Sequence, residues 1–194
     1  MITVIIPYKE ARETLTEALA SVAAQTSSYE ILQGGGELLG KNVNKLVKQA
    51  KGDYIKILAD DDTLTPHALL TLEKAIGNYD FVCGDAMNQV NGDNFSKHHS
   101  LVVTLDQMLN RNSIHGGTPL YRKDLWERFG GWDEELTTGE EYDWHLKLLK
   151  GGCKYTCIRS VVYNYRIWDG SKSQHLNNDE TRKAYIEMIK DRYR

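Results

Sequence analysis

The chain has 194 residues, of which 41% are hydrophobic, and a formal net charge of −3. These values fit one globular domain with a proper core, or one domain with a small appendage. The charge gives no general signal for nucleic-acid binding, and no apolar run approaches the roughly 18 residues that a membrane span needs. Three cysteines without CxxC spacing argue against structural zinc and a disulfide framework. No secretory-type segment precedes the first strand, so a cytoplasmic location is the default expectation.

The first half of the chain alternates strand-like and helix-like segments. Four short apolar runs are typical of buried strands: residues 1–6, 29–32, 54–58 and 79–83. Three segments between them carry helical spacing or a helix start: residues 11–24, 39–50 and 65–76, the last with Thr65 as cap and Pro66 in the first turn. This order predicts an α/β domain with a mainly parallel central sheet flanked by helices.

The second half is less regular. Helices are expected at residues 122–129, 140–150 and 179–193, a short strand near residues 116–121, and one or two strands within 154–165. The segment Lys97-His98-His99 is expected to be a loop. With His115, its histidines show no spacing that supports a metal site.

Three aspartates, Asp60, Asp61 and Asp62, follow the third apolar run. Clustered carboxylates repel one another unless a cation or a hydrogen-bond network neutralises them, and hard oxygen ligands suit Mg²⁺ or Mn²⁺. Taken alone, the triplet fits a solvated acidic turn equally well. Because ligands bind beyond the carboxyl ends of parallel strands, the aspartates and Pro7-Tyr8-Lys9-Glu10 are expected to face one crevice.

Four separated signals occur in a fixed order. They are a strand into Pro7-Tyr8-Lys9-Glu10; Asn44 followed by Asp60-Asp61-Asp62; Gly130-Gly131-Trp132-Asp133-Glu134 followed by Gly139-Glu140-Glu141; and Tyr165-Arg166-Ile167-Trp168 with Ser171 and Ser173. Over roughly residues 2–173 this pattern resembles the family 2 glycosyltransferases of the GT-A fold. The resemblance implies one Rossmann-like GT-A domain over residues 1–194. Its expected parts are a nucleotide-sugar-binding half (1–85), an acceptor and catalytic half (86–175) and a carboxyl-terminal helix (176–194).

The resemblance also implies a reaction: metal-dependent, inverting transfer from a UDP-sugar, by default UDP-glucose, to an acceptor hydroxyl. In the family, the last aspartate of the motif binds the metal, an earlier carboxylate contacts the ribose, and a proline usually opens the following helix. If Pro66 is that proline, its spacing favours Asp61 as the ligand of Mn²⁺ or Mg²⁺, with Asp60 near the ribose. Asp62 stays a candidate ligand because Ala59 stands where many relatives carry the first aspartate. The other expected contacts to the nucleotide-sugar are Pro7, Tyr8, Glu10, Gln33, Asn44 and Arg166.

The candidate general base is Glu141, the second acid of a pair that opens a helix. The family has aspartate there, and the alternative is that Glu140 and Glu141 only favour the positive end of the helix dipole. On the same helix, Trp144 is expected in the core or beside an acceptor pocket. Asp143 is expected to pair with Lys147 at the surface.

Two segments depart from the family pattern. Gln33-Gly34-Gly35-Gly36-Glu37 replaces an aspartate pair that reads uracil, so either Gln33 bonds the base or the glycines form a plain flexible turn. Trp168 stands where many relatives have histidine, in the late segment that can close over the diphosphate. There Arg166 suits a phosphate, or is only an exposed strand residue.

Two other functions remain open at this point. A nucleotidyltransferase would want a glycine-rich basic loop after the first strand, which Pro7-Tyr8-Lys9-Glu10 does not supply. A non-catalytic nucleotide-sugar-binding or assembly module is favoured by Ala59 and by the altered segment at residues 33–36. The acceptor is open among glycans, lipid-linked glycans, proteins and modified nucleic-acid bases.

Overall fold

Eight strands and seven helices make up the described part of the computed structural model, which is residues 1–90, 92–168 and 180–194. The strands are β1 (Ile2–Pro7), β2 (Tyr29–Gly34), β3 (Tyr54–Ile57), β4 (Thr63–Leu64), β5 (Phe81–Val90), β6 (Asp93–His98), β7 (Leu120–Arg122) and β8 (Tyr155–Ile167). The helices are α1 (Thr14–Ala23), α2 (Leu39–Gln49), α3 (Ala68–Ile76), α4 (Leu105–Asn110), α5 (Leu125–Phe129), α6 (Glu140–Lys150) and α7 (Glu180–Asp191).

All eight strands form one sheet, in the order β2-β1-β3-β7-β5-β8-β4, with β6 paired to β5. The pairs β1/β2, β1/β3 and β5/β8 are parallel. The pairs made by β7, β6 and β4 are antiparallel. The expected α/β domain is confirmed, and its central sheet is mixed.

Helices cover both faces of this sheet and enclose two hydrophobic clusters. One cluster contains Ile5 with side chains of α2, α5 and α6; the other contains Ile2, Val4 and Ile6 with side chains of α1 and α3. A strand buried on both faces reads as a continuous apolar run, which is why β1 could be found from the sequence. Trp144 is fully buried in the first cluster, so the expectation of a core residue is confirmed.

Several expected elements need correction. Helix α3 begins at Ala68, and Thr65 does not cap it: the Thr65 Oγ1 hydroxyl donates to the carbonyl of Val161 at 2.7 Å, and His67 takes the N-cap with φ 62°. The segment around Lys97 is not a plain loop, because residues through His98 form β6. Strand β6 carries polar side chains on both faces, so its sequence has no apolar alternation.

The expected surface pair of Asp143 and Lys147 is wrong. Asp143 is fully buried and accepts a hydrogen bond from the Tyr193 hydroxyl at 2.8 Å, while Lys147 Nζ donates to the carbonyl of Gly131 at 2.8 Å. The carboxyl-terminal residues cover this side of α6, which spacing within one helix could not reveal. Across the described ranges, no helix combines the length and apolar character that crossing a membrane requires.

Candidate active site

The carboxyl ends of β1 and β2 meet in a tightly bonded turn. Pro7 lies opposite Gly34 in the parallel register, and the Tyr8 N–H donates to the Gly34 carbonyl at 3.0 Å. The Tyr8 ring covers Gly35 so closely that a Cβ there would lie 2.5 Å from the ring. The glycine segment is therefore a packed turn, and only glycine fits beneath Tyr8.

Two of the residues expected to contact the nucleotide-sugar are exposed at the same edge of the sheet. Gln33 is the last-but-one residue of β2 and is exposed, and Glu10 is exposed just after β1. Asn42, which the sequence reasoning missed, donates from its side-chain amide to the carbonyls of Tyr8 and Glu37 at 3.3 and 3.1 Å. A buried asparagine in the first turns of α2 thus fixes both sides of this turn.

The three aspartates follow β3 at the adjoining position, and their carboxylates have different surroundings. Asp61 Oδ2 accepts hydrogen bonds from Arg12 and from the Trp168 indole, both at 3.2 Å. Asp62 is buried, with its two oxygens held by the Tyr163 hydroxyl and the Arg166 backbone N–H, both at 2.7 Å. Asp62 therefore fastens the aspartate turn to β8.

Burial makes the ionised carboxylates of Asp60 and Asp62 energetically unfavourable. Burial, together with the neighbouring Asp61 charge, raises the pKa of Asp62 to about 8 and also raises the pKa of Asp60. The buried Oδ2 of Asp60 has no hydrogen-bond partner among the described residues. A buried carboxylate oxygen without a partner indicates a place where a cation or a ligand donor would be favourable.

The aspartate oxygens could bind a hard divalent cation together with ligands from a substrate. The described residues hold no group of three or more His, Cys, Asp or Glu that could bind a metal by itself. Mg²⁺, however, is usually bound by one or two carboxylates together with substrate phosphates and water. The partner-free oxygen of Asp60 and the carboxylate of Asp61, whose Oδ2 accepts from Arg12 and Trp168, offer that number of protein ligands, whereas both oxygens of Asp62 are already engaged.

Glu141 lies in the first turn of α6 and contacts a loop that also reaches the aspartates. A Cβ on Gly116 would lie 2.9 Å from Glu141 Cγ, and one on Gly117 would lie 2.3 Å from the Tyr163 ring. The Tyr163 hydroxyl is the group that donates to Asp62. The loop of residues 115–118 thus lies between the candidate base and the aspartate turn, and brings the two parts together.

A buried lysine supports this loop. Lys56 Nζ donates to the carbonyls of Gly117 and Pro119 and lies 5.2 Å from the centre of the Tyr163 ring. Complete burial lowers the pKa of Lys56 to about 7. A lysine inside the apolar strand Tyr54-Ile55-Lys56-Ile57 was the available sequence signal, since a buried lysine needs partners.

Arg12 was also missed from the sequence. Its guanidinium pairs with Asp61 and lies over the Trp168 ring, 5.3 Å from the ring centre. Arg166 forms an ion pair with Glu17 at 2.5 Å, so its side chain lies on the α1 side of the aspartate turn. The predicted Ser171 and Ser173 lie outside the described residues.

Asn44 lies elsewhere in the fold. Its amide donates to the Trp132 carbonyl and to Glu134, both at 2.9 Å, and accepts from the Trp132 N–H at 2.9 Å and the Trp126 indole at 3.2 Å. These contacts tie α2 to the Gly130-Gly131 turn.

The chain is similar in sequence to known proteins. The sequence model of Glycosyl transferase family 2 matches residues 31–133, which is more than half of the chain. The uncharacterized glycosyltransferase YwdF of Bacillus subtilis (strain 168) is 25% identical over 170 residues, covering 83% of this chain and 62% of that protein. The uncharacterized glycosyltransferase RT0329 of Rickettsia typhi is 26% identical over 196 residues, covering 94% and 58%. The chain thus spans about three fifths of the length of these relatives.

Solved structures share the fold. The crystal structure of S. aureus TarS 1-349 in complex with UDP-GlcNAc has a TM-score of 0.71 at 17% identity, and the match covers 99% of this chain and 71% of that one. The complex of the same protein with UDP has a TM-score of 0.69. The expected GT-A fold is confirmed by this likeness, and with the family match over residues 31–133 the chain belongs to glycosyl transferase family 2.

Proposed function

We propose that this domain is a glycosyltransferase that moves a sugar from a UDP-sugar to an acceptor hydroxyl. The observation that carries the proposal is the loop of residues 115–118. It packs against Glu141 on one side and, through Tyr163, reaches the aspartate turn on the other. This reaction needs two parts. One is a carboxylate that can take a proton, and the other is a carboxylate cluster that can hold a diphosphate through a cation.

The donor is proposed to lie across the ends of β1, β2 and β3. Uracil would lie by Tyr8 and Gln33, and the ribose by Asp60. The TarS structures contain UDP and UDP-GlcNAc at a similar fold, which supports a uridine nucleotide and adds UDP-GlcNAc to UDP-glucose as a donor to test. We also propose that Glu10, which is exposed after β1, lies beside this donor.

Asp61 is the proposed ligand of Mn²⁺ or Mg²⁺, with Asp60 next to it. When bound, such an ion supplies Lewis-acid stabilisation of the departing diphosphate. Asp62 is assigned a supporting role because Tyr163 and the Arg166 backbone already occupy its oxygens. Arg12 and Arg166 would lie close enough to the aspartate turn to add positive charge for the phosphates.

In the proposed step, the acceptor oxygen attacks the anomeric carbon as the bond from that carbon to the diphosphate oxygen breaks. UDP leaves with the bonding electrons, the acceptor proton passes to a carboxylate oxygen of Glu141, and the anomeric configuration inverts. Glu141 lies in the first turn of α6, and its deprotonated carboxylate is the form that can accept this proton.

Donor binding is tested by titrating UDP, UDP-GlcNAc and UDP-glucose into the protein by calorimetry, with and without Mn²⁺. We expect Mn²⁺-dependent binding that Asp61→Ala weakens about ten-fold or more, since one charged ligand is lost. The matched variant Asp106→Ala, which removes an exposed acid on α4, should bind as the parent does. If UDP binds equally well without Mn²⁺, the aspartates do not act as metal ligands for the donor. Failure to bind UDP, GDP and TDP would favour a non-catalytic module.

The base is tested separately by hydrolysis of the bound UDP-sugar, in which water replaces the acceptor. Glu141→Gln should leave the affinity for UDP unchanged and lower the turnover rate about 100-fold or more, because general-base catalysis is lost. Glu135→Gln, an exposed acid ahead of α6, is the matched control. Equal turnover in parent and Glu141→Gln would assign Glu141 to the helix dipole alone.

A further inference from the structure

An open cavity of about 550 Å³ lies beside β6. Its walls come from β6, the end of α4 and β8, and its lining residues are Lys97, His98, His99, Leu101, Arg111 and Arg159. Three side chains that carry a full positive charge thus face one cavity in a chain whose net charge is −3. Such a local excess of cations favours an anionic occupant.

Only part of this positive charge is neutralised within the protein. The buried Asp85 contacts His99 at 2.8 Å and Arg159 at 3.5 Å. Within residues 1–90, 92–168 and 180–194, neither Lys97 nor Arg111 takes part in an ion pair. Burial, and then the nearby Arg111 charge, lower the pKa of His98, while Asp85 acts in the opposite direction.

The cavity connects to the candidate base through the same loop that reaches the aspartates. The His98 ring lies 5.4 Å from the His115 ring, which in turn packs against Tyr165 at 5.1 Å. Gly116, the next residue, is the one that packs against Glu141. Packed residues of one loop thus link the wall of the cavity to the candidate base.

We propose that this cavity binds a phosphate group, so that the acceptor of the proposed reaction is a phosphorylated compound with a free hydroxyl. The inference rests on the proposed function for the hydroxyl transfer, while anion binding can be measured without it. Arginine matches phosphate oxygens with two parallel donors, and Lys97 adds a third cation. Three cations around one cavity suit a single phosphate rather than the extended charge stripe of a nucleic-acid surface.

The test uses calorimetric titration of glycerol 3-phosphate, with glycerol as the neutral probe. The protein is kept saturated with UDP and Mn²⁺ where these bind, so that the donor site does not take the probe. Glycerol 3-phosphate should bind and glycerol should not. Arg111→Ala should weaken binding about five-fold to ten-fold, and Arg111→Ala with Lys97→Ala further. Arg194→Ala, which removes an arginine at the far end of α7, should leave it unchanged.

The remaining arms separate the sources of the phosphate and the two proposals. Binding to phosphatidylglycerol vesicles but not to soluble glycerol 3-phosphate, lost in Arg111→Ala, would support a lipid-borne phosphate; the reverse would support a soluble one. Equal affinity in the parent and Arg111→Ala, or tighter binding of a single-stranded oligonucleotide, would overturn the inference. The affinity for UDP reports independently on the donor site, and Arg111→Ala should not change it. If the parent protein does not bind UDP, that result counts only against the proposed function.

Discussion

Asn44 offers the sharpest stability prediction, since its one side chain completes four hydrogen bonds between α2 and the segment around Trp132. Asn44→Ala would leave two buried donors, the Trp132 N–H and the Trp126 indole N–H, without partners. An orphaned buried donor costs about 1–3 kcal/mol, so we expect a loss of about 3–5 kcal/mol in the free energy of unfolding. That is a large part of the about 5–15 kcal/mol by which a typical domain is stable.

Urea denaturation followed by tryptophan fluorescence measures this loss. With a slope of about 2 kcal/mol per molar urea, the midpoint should fall by about 1.5–2.5 M. Asn110→Ala, which replaces an exposed asparagine at the end of α4, should move the midpoint little. UDP affinity, measured below the unfolding transition, should be retained in Asn44→Ala. A near-parental midpoint with lost UDP binding would refute this reasoning and return Asn44 to the nucleotide site.

Two further predictions concern the loop beside Tyr163. Because the pKa of Lys56 is lowered to about 7, the unfolded chain binds more protons at this group than the native protein above that pH, so Lys56 should make stability rise by about 2 kcal/mol from pH 7 to pH 9. The raised pKa of Asp62, about 8, acts in the opposite direction and should offset about 1 kcal/mol of this rise. Lys56→Met should remove this rise in urea titrations, and an unchanged pH slope would contradict the assignment. Gly117→Ala should push the Tyr163 ring away from Asp62, costing about 1–3 kcal/mol by overpacking and weakening Mn²⁺-dependent UDP binding. Gly34→Ala, whose added Cβ meets only ordinary contacts, is the control in thermal melts, and equal melting points would count against the clash.

The elements that could be predicted are those whose local pattern agrees with their burial. Strand β1 is buried on both faces, and α6 runs over Glu140–Lys150 as predicted, between Gly139 and Gly151. Strands β4 and β6 were missed, because two residues or a polar edge strand give no periodic signal. Helix α4 had a readable start, the capping box of Thr104 and Gln107.

The site divides in the same way. That β1 and β3 end at one edge follows from parallel topology, so Tyr8 and Asp61 were placed together without coordinates. Which aspartate has free oxygens depends on contacts from β8, about a hundred residues away, and could not be read from the triplet. Arg12 and Lys56 act through their partners in space, and neither partner lies near them in the chain.

Strand β7 determines how this domain could be recombined with its relatives. It comes late in the chain, yet it pairs with β3 on one side and β5 on the other, and its Tyr121 hydroxyl bonds His145. A chimera that joins the first half of one relative to the second half of another would have to match a foreign strand to both neighbours. Exchanging residues 91–119 in place, while keeping Leu120–Arg122, would change the basic cavity and the Gly116 loop without disturbing the centre of the sheet.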